Sequence, residues 1–158
     1  MTLSDPPSPI GINGIIACQR NRYPVLLIDR ITEIEPLKRA VGRKCFTYNE
    51  WYFPGHFDDE ATVPGFVLVE CLTQTFIMTF LCVEEYKGMK TSFVSLNNVR
   101  FTRKVVPGDV LMIEAKLESF KRGIATGCVE GKVGDELACR ADLVVALPAV
   151  LERLRPKT

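Results

Sequence analysis

The chain has 158 residues, 47% hydrophobic and 25% charged, with a formal net charge of +1. That length suits one domain, residues 1–158, with room for a real core. The balanced charge describes a folded globular protein and gives no electrostatic case for a dedicated nucleic-acid or membrane binder.

In chain order, the polar, proline-containing start MTLSDPPSPIG carries no signal-peptide pattern, and IGINGIIACQRN reads as a short helix ahead of Tyr23-Pro24. Residues 25–35 (VLLIDRITEIE) and 40–49 (AVGRKCFTYN) are β-rich and joined by the turn-like PLKR, which predicts an antiparallel pair. Residues 66–83 form a long run without Pro or Gly. Its length alone would admit a membrane span, but Glu70 and Gln74 argue for a helix buried in a protein core, starting at Pro64-Gly65 and stopping at Gly88. Four further strands follow, over residues 92–106, 110–120, 124–133 and 137–147, with turns at Pro107-Gly108-Asp109, Lys121-Arg122-Gly123 and Gly134-Asp135. They predict an antiparallel meander. Leu111, Ile113, Ala115 and Leu117 fall on one face, as do Leu137, Cys139, Ala141 and Leu143 in the last strand. A sheet with one apolar face needs a cover, and the long apolar helix is the candidate: an α+β fold with a bent antiparallel sheet wrapped around a central helix. The tail LERLRPKT is expected on the surface.

The six cysteines are scattered without a C-x-x-C pair and read as reduced, mostly buried thiols of a cytoplasmic protein. With a single histidine they do not supply clustered metal ligands, so no metal is expected.

The chemistry concentrates between Trp51 and Phe76. His56, the one histidine, sits in a Pro-Gly-His-Phe loop, and histidine is a residue type that can take or give a proton in catalysis. Glu70 is surrounded in sequence by Val67, Leu68, Val69, Cys71 and Leu72. Burial there would raise its pKa and let it serve as a general acid. Thr73 and Gln74 share its helix face, where an amide could orient the carboxyl. Gly65, at the helix start, could direct a backbone N–H at a developing oxyanion. Phe66 and Gln74 complete the candidate substrate-binding set. The plainer alternatives are a loop histidine with an ordinary hydrogen bond, and a Glu70 that faces water or pairs with an arginine.

These residues resemble the 3-hydroxyacyl-acyl carrier protein dehydratases of the hot-dog fold, the FabZ-like β-hydroxyacyl dehydratase family. The resemblance rests on Arg22-Tyr23-Pro24 before LLIDRI, Asn49-Glu50, Gly55-His56-Phe57, Pro64-Gly65 followed by VECLTQ, and Arg100-Phe101 before VVPGD, and it covers about residues 23–147. Glu70 and Gly55, where the dehydratase-isomerase subgroup carries Asp and Cys, favour the non-isomerising type. Departures are Asn21 in place of His, Trp51 and Tyr52 in place of Pro and Phe, Asp58 and Ala61 in place of prolines, and Lys104 in place of Pro. The resemblance implies a homodimer, or a trimer of dimers as a hexamer, with His56 of one subunit facing Glu70 of the other in an acyl tunnel. It implies removal of water from (3R)-3-hydroxyacyl thioesters to give trans-2-enoyl thioesters, in fatty acid or related polyketide biosynthesis, with no cofactor. The partner would be an acidic acyl carrier protein, for which Arg100, Arg103, Lys104, Lys121 and Arg122 are the candidate basic patch. A hot-dog acyl thioesterase and a non-catalytic acyl-binding subunit are the alternative functions.

Overall fold

The computed structural model describes residues 9–155; the start and the end of the chain, residues 1–8 and 156–158, lie outside it, including most of the proline-containing start and the end of the tail. A short helix α1 (Ile12–Cys18) precedes the strands β1 (Arg30–Glu35) and β2 (Arg39–Cys45). The long helix α2 (Gly65–Leu81) separates them from β3 (Ser92–Phe101), β4 (Val110–Lys121), β5 (Ile124–Val133) and β6 (Glu136–Ala146), and a short helix α3 (Pro148–Arg153) follows. The strands form one antiparallel sheet in the order β1-β2-β4-β5-β6-β3.

That order confirms the β1–β2 pair and corrects the meander. Of the four strands after α2, only β4, β5 and β6 follow one another as neighbours; β3 pairs with β6 at the sheet edge, and β2 takes the place beside β4. The Pro107-Gly108-Asp109 turn therefore carries the chain across the molecule. It is tied to the end of β2, where the Phe46 N–H donates to Asp109 O and the Gly108 N–H to Phe46 O.

Helix α2 lies against β2, β4, β5 and β6, and nearly all of it from Val67 to Leu81 is buried. A helix this enclosed must satisfy its own polar side chains. The hydroxyls of Thr73, Thr75 and Thr79 donate to Val69 O, Cys71 O and Phe76 O at 2.8, 3.1 and 2.7 Å. Contact with the sheet is close enough that a Cβ on Gly42 of β2 would lie 2.3 Å from Thr75 Oγ1. The helix ends at Leu81, short of Gly88: the Gly88 N–H turns away to Cys18 O at φ +72, and residues 82–88 are turns. Among the described residues no helix is long and apolar enough to cross a membrane.

The dry faces hold with two changes, the first being Leu117, which is half-buried against the core. Leu111, Ile113 and Ala115 are fully buried, as are Cys139, Ala141 and Leu143. Leu137 leaves that set because a bulge opposite Gly131 and Lys132 inserts Ala138, which is itself buried. The expected strand over residues 25–29 is irregular; Leu27 and Ile28 give their N–H groups to a side chain of α2 instead of a ladder.

The two sheet edges differ. Along β1 the burial pattern is mixed, Glu33 and Glu35 are outward, a bulge interrupts the pairing between Ile31 and Glu33, and Ile10 bridges Ile31 from outside. Along β3 the exposed residues include Phe93, Val94, Leu96 and Phe101.

Candidate active site

Glu70 points from the second turn of α2 into a half-buried position, held by two amides. Its Oε1 accepts from Gln74 Nε2 at 2.8 Å and from Asn21 Nδ2 at 3.1 Å. Burial pushes its carboxyl above the usual carboxylate range, against the opposing pull of those hydrogen bonds. Among the described residues no cation pairs with it, which removes the arginine ion-pair alternative.

Gln74 is fully buried and its amide is filled. Besides Glu70, its Nε2 donates to Val25 O at 2.6 Å, and its Oε1 accepts from the Leu27 and Ile28 N–H groups at 2.8 and 3.4 Å. No donor or acceptor of this side chain is left for a ligand. The substrate-binding role given to Gln74 is thus corrected to that of a holder of Glu70.

His56 follows a 3-10 turn (Phe53–Gly55) and is half-buried, its ring stacked on Phe57 with centroids 4.1 Å apart. Its Nδ1 lies 3.0 Å from Thr62 O. A carbonyl only accepts, so the neutral ring carries its proton on Nδ1 and keeps the lone pair on Nε2. The Thr62 hydroxyl, 3.2 Å from Nδ1, has His56 O as its own acceptor at 3.5 Å.

Gly65 opens α2 after Pro64, and its N–H has no acceptor among the described residues. A Cβ there would lie 3.1 Å from the Phe101 ring, so the glycine admits that ring against the helix start.

The structure groups these residues into two cavities. One, of about 430 Å³, is lined by His56, Thr62, Gly65, Leu68, Phe101 and Arg103 among others. The second, of about 560 Å³ and almost wholly apolar, is lined by Pro24, Trp51, Phe66, Glu70, Phe93 and Leu96 among others. His56 and Gly65 share the first cavity, and Glu70 lines the second. Trp51 leans on Phe66 with ring centroids 6.4 Å apart and donates its indole N–H to Pro24 O.

The basic patch does not form one face. Arg103 is paired with Asp109 and Glu136, each at 2.8 Å, and Lys104 with Glu60 at 2.8 Å, beside the His56 cavity. Lys121 and Arg122 stand at the far end of β4, roughly 35 Å away at the usual rise per residue. Sequence reasoning missed Asn21 as a partner of Glu70; its place just ahead of Arg22-Tyr23-Pro24 was the available signal.

Residues 20–142 match the model of the FabA-like domain family. The chain is 43% identical over 138 residues to the 3-hydroxyacyl-[acyl-carrier-protein] dehydratase FabZ of Chloroflexus aggregans, covering 87% of this chain and 96% of that protein. The FabZ of Moorella thermoacetica is 39% identical over 142 residues, with 90% and 97% covered. Among solved structures, the dehydratase heterocomplex ApeI:P from Xenorhabdus doucetiae aligns with a TM-score of 0.72 at 14% identity, covering 90% of this chain and 97% of that one. Zebra fish thioesterase superfamily member 2 aligns at 0.64 with 14% identity, covering 87% and 99%. These structural likenesses establish the hot-dog fold; dehydratase and thioesterase share it.

Proposed function

We propose, from the premise that this chain belongs to the FabA-like family, that its active site is composite and is completed by a second copy of the chain. The protein is a 3-hydroxyacyl-acyl carrier protein dehydratase of fatty acid biosynthesis, as the FabZ relatives matched over nearly their whole length are named dehydratases. The finer reading is elimination of water from a (3R)-3-hydroxyacyl thioester to give the trans-2-enoyl thioester.

One observation carries the composite site: the two cavities lie at opposite ends of the same edge strand. The His56 cavity includes Phe101 at the end of β3, and the Glu70 cavity includes Phe93, Ser95 and Leu96 nearer its start. An exposed, apolar edge strand is a template for pairing. Pairing β3 antiparallel with its copy about a twofold axis reverses the ends, bringing the His56 end of one subunit to the Glu70 end of the other. Two equivalent sites form per dimer, each with a base, an acid and an apolar chamber.

In that site His56 Nε2 takes the proton from the carbon α to the thioester carbonyl, its Nδ1 proton held by Thr62 O. The Gly65 N–H, at the positive end of α2, stabilises the carbonyl oxygen as it gains enolate charge. Glu70 gives its proton to the departing hydroxyl, which leaves as water. The alkyl chain occupies the cavity lined by Trp51, Phe66 and Phe93. A thioesterase would need an ionised carboxylate to activate water, and the burial of Glu70 works against that form. Carrier docking is expected at the His56 end, where Arg100 has no carboxylate partner among the described residues. The six free cysteines support a cytoplasmic setting.

On a crotonyl-type thioester, His56→Ala and Glu70→Gln are each expected to lose about 10²- to 10⁴-fold in hydration rate. Turnover near the wild-type rate in either variant would overturn the assignment.

A further inference from the structure

The hydrogen bonds of Glu70 are one-sided. Both fall on Oε1, from Asn21 and from Gln74, and Oε2 has no partner among the described residues. The donor identity is fixed at Gln74 independently of Glu70, because its other amide atom receives the Leu27 N–H and its nitrogen also reaches Val25 O. An amide N–H only donates, and the hydroxyl oxygen of a carboxylic acid is a poor acceptor beside its carbonyl oxygen. In the protonated acid, two N–H donors on Oε1 thus make Oε1 the carbonyl oxygen and leave the proton on Oε2.

We infer that Asn21 is a positioning residue of the dehydration: with Gln74 it locks Oε1 as acceptor, so that Glu70 presents its acid proton from Oε2. This rests on the acid role given to Glu70 above. Gln74 sits one turn along the same helix, whereas Asn21 arrives from the segment between α1 and β1. Two anchors from different elements converge on Oε1 and restrain rotation about the Cγ–Cδ bond more than either does alone. The Asn21 amide has no other partner among the described residues.

The segment that delivers Asn21 is itself built to stay in place. The Arg22 guanidinium donates from Nη1 to Asn21 O and Gln19 O, each at 2.7 Å, and from Nη2 to Ile16 O at 3.0 Å. A rigid planar fork thereby fastens residue 21 to the last turn of α1, whose Ile15 is fully buried. Asn21 and Glu70 then line together a small cavity of about 140 Å³ with Thr73, Thr91 and Ser92. The contact is positioned from both sides and still open to small molecules.

The test compares the full-length wild type with Asn21→Leu, which has no donor, Asn21→Asp, which keeps the shape but cannot donate when ionised, and Asn21→His, which restores a donor. Loss of one such hydrogen bond is expected to lower kcat about tenfold in the Leu and Asp variants while KM stays within about twofold. Asn21→His is expected to recover most of that loss, which a purely structural role would not predict, and Asn21→Asp carries the comparison if the Leu variant does not fold. A Leu or Asp variant that turns over at the wild-type kcat overturns the inference, as does a His variant no better than they are. Glu70→Gln, run alongside, separates the two readings. If it is inactive while Asn21→Leu is fully active, only the role of Asn21 falls; if it is itself active, the acid role of Glu70 falls first.

Discussion

A composite site can be rebuilt from two broken subunits. In His56→Ala the base is gone and Glu70 is intact; in Glu70→Gln the acid is gone and His56 is intact. If each site takes its histidine from one subunit and its glutamate from the other, a mixed dimer has one doubly broken site and one fully native site. Random exchange of equal amounts makes half of the dimers mixed, so about a quarter of all sites, and about a quarter of the wild-type rate, should return. Against parents reduced about 10²- to 10⁴-fold, that recovery is a rise of more than an order of magnitude. The assay is initial hydration of a crotonyl-type thioester before and after subunit exchange, with exchange verified by native mass spectrometry of differently tagged chains. A mixture shown to contain mixed dimers but no more active than the average of its parents would refute the twofold arrangement.

The stability gap between wild type and Glu70→Gln should depend on pH with a definite sign. Folding raises the Glu70 pKa through burial, so the native state binds the proton more tightly than the unfolded chain does, and stability falls as pH rises. Below the unfolded carboxylate value of about 4.3 there is no penalty; above it the penalty grows until pH passes the folded value. Gln keeps an acceptor for Asn21 and Gln74, so calorimetric melting is expected to show the variant equal to wild type near the acid end and more stable at alkaline pH. A gap independent of pH would contradict this. A second stability test concerns Lys44, whose side chain is 7% exposed and whose Nζ contacts Glu50, with Asp29 Oδ1 at 3.9 Å. Lys44→Met leaves Glu50, 18% exposed, without its cation and should cost about 3–5 kcal/mol, with Glu50→Gln recovering part of it in the double variant. Denaturant melts giving a loss below about 1 kcal/mol would show that water already compensates the pair.

Glu70 was legible in the sequence because a carboxylate in an apolar helical run is a local anomaly, and the start of α2 because Pro64-Gly65 is a local signal. The place of β3 was not. Its burial pattern shows no period-two alternation, and alternation in any case says which face a residue takes, never which strand lies beside it. The irregular course of residues 25–29 was hidden for a related reason: the apolar VLLI has strand composition, but Gln74, more than forty residues later, claims the Leu27 N–H that a ladder would use. The role of Asn21 depends on a contact 49 residues away, which neither periodicity nor composition records. The basic patch failed as a single face because Arg103 and Lys104 precede β4 while Lys121 ends it and Arg122 follows, so the length of that strand holds them apart.

The unlike edges of the sheet bear on how far assembly can go. Two adhesive edges would let each added copy offer a fresh edge to the next, and the product would be a fibre without a natural length. Here the bulge at β1, its outward glutamates and the bridge from Ile10 make one rim a poor template, while β3 remains receptive. If two copies pair along β3 as proposed, the growing direction is exhausted and polymerisation by strand addition terminates at the pair.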